Sequence, residues 1–264
     1  SESGQTRTLR IDQGTNCGPQ YVDIRAVPLK ESLSAYIGTA LKQQSGCTND
    51  GDCSVASWRK LSQEMTDDGL LGGGERFVNV LMFLDTMDQS SVFPFFVGRG
   101  SLPLAATTAG IDNPSNQMNG FSVVWPQADP SYDGLLPTDP VIRAEQPLHE
   151  MLHNIGAVAG DAPHATPYGH CWDHNEVMCY PDGGPWQANA TCGPADGSWS
   201  FTLTIDCNKD DYFNTAPAPG TYLATHWNTA DSQLLCPIAW CGVATAPPQV
   251  TLGASNGQPA PGEQ

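Results

Sequence analysis

Apolar positions along this chain fall into short groups separated by long polar or glycine- and proline-rich stretches. ESLSAYIGTALKQQ, residues 31–44, carries apolar residues at helix-like spacing and stops before Gly46, which predicts a helix. SVASWRKLSQEMTDD, residues 54–68, predicts a second, with Ser54 as its cap and GLLGGGE closing it. RFVNVLMFLD (76–85) is too continuously apolar for an edge strand and reads as buried sheet. Shorter strand signals lie in YVDIRAV (21–27), FPFFVGRG (93–100) and GFSVVW (120–125). VIRAEQPLHEMLHNIGA (141–157) predicts a third long helix, ending near Gly156. Proline lacks an N–H and starts or kinks a helix, so Pro147 sets the expected start near Gln146.

Beyond residue 160 the texture changes. Glycine, proline, tryptophan, asparagine and cysteine dominate, and FTLTID (201–206) is the one strand signal. Residues 245–264 have the composition of a linker or tail. The pattern predicts an α/β (α+β) chain with a single domain over 1–244. Its upper lobe, about 1–156, holds a twisted mixed sheet flanked by helices, and its lower lobe, about 157–244, is mostly irregular.

Composition sharpens this in two ways. Eleven basic residues face 28 acidic ones, a formal net charge of -17, which repels nucleic acid and anionic membrane surfaces. Neither is therefore expected as a partner. Nine cysteines with no C-x-x-C pair suggest disulfides and an oxidising compartment, hence a secreted protein. Cys47 with Cys53, Cys192 with Cys207, and Cys236 with Cys241 are spaced to close short loops, and nine is odd, so at least one cysteine lacks a partner within the chain. Asn189-Ala190-Thr191 is a glycosylation acceptor by pattern.

The chemistry concentrates in HEMLHNIGAVAGDAPHATPYGHCWDHNEVMCY, residues 149–180, which holds five of the six histidines. His149 and His153 are four apart, so a helix puts both imidazoles on one face, with Glu150 beside the first. That pattern fits zinc. The ion lowers the pKa of a bound water, and a neighbouring carboxylate takes that water's proton. Two histidines do not complete such a site, and Asp161, His164 and His170 are the candidates for a third ligand.

HEMLHNIG resembles the opening of the extended motif HExxHxxGxxH of the metzincin clan of zinc endopeptidases, which is followed by a methionine-containing turn. The clan's third-ligand position falls on Ala159, which cannot bind metal. HCWDHNEVMCYP, however, sets His170 eight residues before Met178, the interval found in matrix metalloproteinases, with a proline in the corresponding later place. The resemblance thus implies an insertion of eleven residues and favours His170, held near the methionine turn by a Cys171–Cys179 bridge. Loop entropy permits this, because each doubling of loop length costs only about 0.6 kcal/mol. The region from about 55 to 235 is also similar to a group of secreted proteins of actinobacterial type.

The likeness implies a metzincin-like fold, a strand at 120–125 forming the sheet edge that pairs with substrate backbone, Met178 as a hydrophobic floor, and catalysis by Glu150. Tyr180 matches the M-x-Y of astacin-like members, where the phenol resembles an oxyanion stabiliser; a wall of the S1′ pocket is the other reading. His174 reads as a surface residue or a donor to a ligand, and His226 as structural. DCNKDD (206–211) resembles the start of a calcium loop through Asp206, Asn208 and Asp210, without its glycine and terminal glutamate. The expected function is zinc-dependent hydrolysis of internal peptide bonds in a protein or peptide substrate. The alternative is a secreted, non-catalytic binding or adhesion domain with structural zinc, against which the retained Glu150 counts.

Overall fold

In a computed structural model of the chain, the described residues are 7–9, 13–15, 18–22, 24, 26–72, 79–84, 98–101, 108–110, 112–125, 140–173, 175–187, 192, 196, 198, 200 and 202–236. In chain order the elements are β1 (Thr8–Leu9), β2 (Gln13–Thr15), β3 (Gly18–Val22), α1 (Ser34–Ile37), α2 (Thr39–Ser45), α3 (Asp50–Asp67), β4 (Asn79–Phe83), β5 (Gly98–Arg99), β6 (Gly120–Val124), α4 (Pro140–Asn154), α5 (Tyr222–Thr225) and β7 (Leu235–Cys236). They make a mixed α/β fold with a small three-stranded sheet and a few helices.

The helix expected over 31–44 is split at Gly38, whose extended backbone separates α1 from α2. A side chain at Gly38 would press on Ser34, its Cβ 2.8 Å from the Ser34 Cα. Gly46 then closes α2 in the left-handed conformation at φ 72°. The second helix begins earlier than expected. Asn49, not Ser54, caps α3 by accepting the Asp52 N–H at 2.9 Å, while Ser54 lies inside the helix and donates to the Gly51 carbonyl. The Cys47–Cys53 disulfide ties the end of α2 to the first turn of α3.

The sheet order is β4-β6-β5, with β6 parallel to β4 and antiparallel to β5. Strand β6 is buried at every position. Phe121 and Val123 pack with Tyr36, Leu41, Leu61 and Met65 of α1–α3, while Ser122 on the other face accepts a hydrogen bond from Asn154 of α4 at 2.8 Å. The segment 120–125 is therefore the centre of the sheet, not the edge that pairs with substrate. The edge positions among the described residues belong to β4, where Phe83 is 53% exposed despite the buried-sheet reading, and to β5.

Helix α4 overrides the expected start at Gln146. It runs unbroken from Pro140 with Pro147 inside it. A first-turn proline costs nothing because its N–H would be unused there, and packing of α4 against all three strands holds the turn that Pro147 deprives of one hydrogen bond. The helix ends in a Schellman motif, with Ala157 N–H on the Leu152 carbonyl at 3.0 Å and Gly156 N–H on the His153 carbonyl at 2.9 Å. Gly156 sits at φ 82°, and a Cβ there would meet the Trp227 indole nitrogen at 2.6 Å. That nitrogen donates to the Ile155 carbonyl at 2.9 Å, so glycine is required twice over.

Downstream of α4, a second apolar cluster gathers Leu152, Ile155, Val158, Val177, Met178, Tyr212 and Phe213 under the helix end. The backbone here is largely irregular, as expected, and the Cys171–Cys179 and Cys192–Cys207 disulfides cross it. Residues 202–205 form no strand: Leu203 and Ile205 are exposed, and one main-chain bond, from Val177 N–H to the Thr204 carbonyl, ties them in. In the 21–27 segment, β3 ends at Val22 and pairs with β2. Cys17, Cys241, His174, the 189–191 sequon and the 245–264 tail lie outside the described residues.

Candidate metal centre

His149 and His153, one turn apart on α4, meet His170 from the loop that follows. The three offer nitrogens that all lie within 4.8 Å of one another, and all three residues are buried. His153 Nε2 is 3.1 Å from His170 Nε2. Nitrogens about 2.0–2.1 Å from a tetrahedral ion stand roughly 3.3 Å apart, so the spacing suits a metal. The group can hold one.

Hydrogen bonds set the tautomers of two of these rings. His149 Nδ1 donates to the Val177 carbonyl at 2.6 Å, and His170 Nδ1 donates to Asp182 Oδ2 at 2.5 Å, which leaves each Nε2 lone pair for a ligand. Burial, reinforced by the neighbouring His170, holds the His149 pKa down to about 3, and burial likewise keeps His153 well below its ordinary value. Neutral imidazoles are the form a metal binds.

The His170 backbone is pinned from both sides. Its carbonyl accepts from Thr166 N–H at 2.7 Å, and the adjoining Cys171 exchanges bonds with Met178 and Tyr180. The Cys171–Cys179 disulfide, with Cα atoms 4.2 Å apart, fixes this segment, and Met178 is fully buried beside it. The Tyr180 ring lies 4.2 Å from the His170 ring, and its hydroxyl is 2.9 Å from His170 Nε2. Burial pushes the phenol pKa upward, so Tyr180 is a neutral donor.

Glu150 is buried beneath β5. A Cβ at Gly98 would fall 2.5 Å from Glu150 Oε1, and one at Gly100 would fall 2.7 Å from His153 Cβ. Two glycines thus let an edge strand lie directly on the HEMLH turn. Gly100 bonds the carboxylate through its backbone, Oε2 has no hydrogen-bond partner among the described residues, and burial lifts the pKa to about 8. The Arg99 guanidinium acts against that rise.

The other candidates for third ligand lie elsewhere. Asp161 is exposed and accepts from Tyr222 Oη at 2.8 Å, and His164 contacts Asp211 at 3.0 Å. His226 stacks on Tyr222 with centroids 4.2 Å apart. Asp206 is not arranged as a calcium ligand: both its oxygens accept backbone N–H groups, from Asp210, Tyr212 and Phe213.

Three neighbours escaped the sequence reading. Asp182 carries no spacing signal, since only the fold brings it to His170. Arg99 comes from a distant strand. Glu145 was the findable one: it sits four residues before His149 on the same helix, 7% exposed, with burial lifting its carboxyl to about 8. No protein-family model matches the chain, and no curated protein and no solved structure does either.

Proposed function

We propose that the chain is a secreted zinc endopeptidase of metzincin type, hydrolysing internal bonds of protein or peptide substrates. One observation carries the reading: the three imidazoles converge with a buried carboxylate, Glu150, immediately beside the first of them. Imidazole nitrogens in a tetrahedral-like set suit zinc. Three disulfides among the described residues favour an oxidising compartment, and among the same residues no helix is long and apolar enough to cross a membrane.

His149, His153 and His170 would hold the zinc, which when bound would supply a water of lowered pKa and Lewis-acid polarisation of a carbonyl. Glu150, buried beside the first ligand, would act as the general base that accepts a proton and passes it to the leaving amine. Its raised pKa in the metal-free chain falls when a dication is bound nearby, which restores a base near neutrality. Tyr180 Oη–H, 2.9 Å from His170 Nε2, would donate to the oxyanion, and Asp182 holds the His170 ring in its ligating tautomer. Strand β5 replaces 120–125 as the edge offered to substrate, since nothing among the described residues pairs with its outer side. Removing zinc with a chelator is expected to stop cleavage of a peptide library and zinc to restore it; cleavage that survives complete removal defeats the proposal.

A second reading rests on the Tyr180 hydroxyl, which at 2.9 Å from His170 Nε2 is close enough to cap the metal's fourth position. A closed site is structural, and the chain is then a binding domain. A zinc-loaded protein that leaves every library peptide intact favours that reading.

A further inference from the structure

Beside the Cys171–Cys179 disulfide, and separate from the histidine triad, four side chains from three stretches of chain converge. His164 comes from the inserted loop, Asp173 from the segment before the methionine turn, and Asp210 and Asp211 from the turn after the Cys192–Cys207 bridge. Each brings one ligand atom within 4.8 Å of the others. Asp173 and Asp211 are buried, whereas His164 and Asp210 are partly exposed, so the group has a wet side and a dry side. We propose that His164, Asp173, Asp210 and Asp211 form a second metal site, for a divalent ion of the zinc class.

The donor set and its spacing select the ion. His164 Nδ1 lies 3.0 and 3.1 Å from the two Asp211 oxygens and 3.3 Å from Asp173 Oδ2. A ring nitrogen has one hydrogen at most and cannot serve three acceptors. Nitrogen and oxygen atoms about 2.0–2.2 Å from a shared tetrahedral ion stand at this same separation, roughly 3.3 Å. One imidazole among carboxylates suits zinc, cobalt or manganese, whereas calcium asks for six to eight oxygens.

Glu176 gives the independent sign that charge is missing. It is 3% exposed, and its Oε2 accepts the Cys207 N–H. Its Oε1 lies 3.1 Å from Cys179 Sγ and 3.3 Å from Cys171 Sγ, but these sulfurs are joined in a disulfide and have no hydrogen to give. Among the described residues that oxygen therefore has no donor, and a Glu176 carboxylate oxygen lies within 4.8 Å of an Asp211 oxygen. A buried carboxylate without a donor for one oxygen, close to the carboxylates of Asp206, Asp173 and Asp211, calls for a cation among them. Asp206, whose oxygens are taken up by backbone N–H groups, shapes the turn that presents Asp210 and Asp211. An ion here clamps the inserted loop to the segment after His170, and so fixes where that histidine stands.

The test is a count. The full chain, stripped with chelator and with its disulfides intact, is titrated with Co²⁺ alone, and bound metal is read by equilibrium dialysis and by visible absorption. The wild type is expected to bind two equivalents with two distinct spectra. His164→Gln and Asp211→Asn are each expected to bind one equivalent with the spectrum of the triad, and His170→Ala one with the spectrum of the second site. A His164→Gln or Asp211→Asn variant that binds as much metal as the wild type overturns the proposal, whether the wild type holds one equivalent or two. If those variants fail to fold, Asp210→Asn on the wet side is counted and read in the same way. Failure of the triad reads differently, as a one-equivalent wild type whose metal His164→Gln removes, or as a His170→Ala variant that keeps as much metal as the wild type.

Discussion

Asp182 reaches His170 Nδ1 from twelve residues away at 2.5 Å, a contact that fixes which nitrogen of His170 faces the metal. Asp182→Asn is expected to weaken zinc binding at the triad by roughly 10- to 100-fold, the usual effect of losing such a carboxylate, measured by competition with a chromophoric chelator. An unchanged affinity means that the tautomer is set by something else. The inserted loop makes a second test at this scale. Because His170 lies with His149 and His153 whereas His164 lies against Asp211, His170→Ala is expected to lose nearly all peptide cleavage, and His164→Ala to lose far less. The reverse order of activity loss contradicts the triad. Much of this was legible in sequence, because His149, Glu150 and His153 are related by helical spacing, and His170, Met178 and Tyr180 by a short segment of fixed length. Asp182, Arg99 and the group around His164 were not, because nothing local links them to their partners.

Strand β5 is two residues long, yet it decides how the centre is roofed. Gly98 and Gly100 flank Arg99 and bring the backbone onto Glu150. Gly98→Ala is therefore expected to push the Glu150 carboxyl aside and cut turnover while zinc content and the far-ultraviolet circular dichroism persist; full activity in this variant removes β5 from the site. At the other end of the helix, Gly156→Ala combines a left-handed backbone with a clash against Trp227, and is expected to lower stability by more than the roughly 1 kcal/mol of an ordinary glycine replacement. Denaturant unfolding checks it. Helix positions were readable from the apolar period of α3 and α4, and the stop at Gly156 from its residue type. Strand order was not, because the continuous apolar runs at 76–85 and 120–125 look alike, and only tertiary pairing makes β6 central and leaves Phe83 exposed. The proline in α4 misled for the same reason, since packing outweighs a single lost hydrogen bond.

Across the whole molecule, buried ionisable groups give the metal-free chain a stability that changes with pH from both sides. Burial raises Glu145 from 4.5 to about 8 and Asp206 from 3.8 to about 6, so their contribution is full below the ordinary carboxylate values and is lost as pH rises through those raised ones. His149 is depressed from 6.5 to about 3, so its contribution is full above 6.5 and is lost as pH falls towards 3. On these three shifts the Tm of the chelated protein is expected to be highest at about pH 4 to 4.5, to fall as pH drops towards 3 and to fall again as pH rises towards 8. Glu145→Gln is expected to flatten the alkaline limb alone; a Tm that climbs steadily beyond pH 8 contradicts these burials. The formal net charge of -17 adds self-repulsion that grows on the same alkaline side. The central claim, that three imidazoles and Glu150 make a hydrolytic zinc centre, meets its most direct test in the Glu150→Gln protein. Loaded with zinc and incubated with a peptide library beside the wild type, it is expected to keep its triad zinc while internal cleavage falls by roughly 10²- to 10⁴-fold. Cleavage by Glu150→Gln at the wild-type rate contradicts the account.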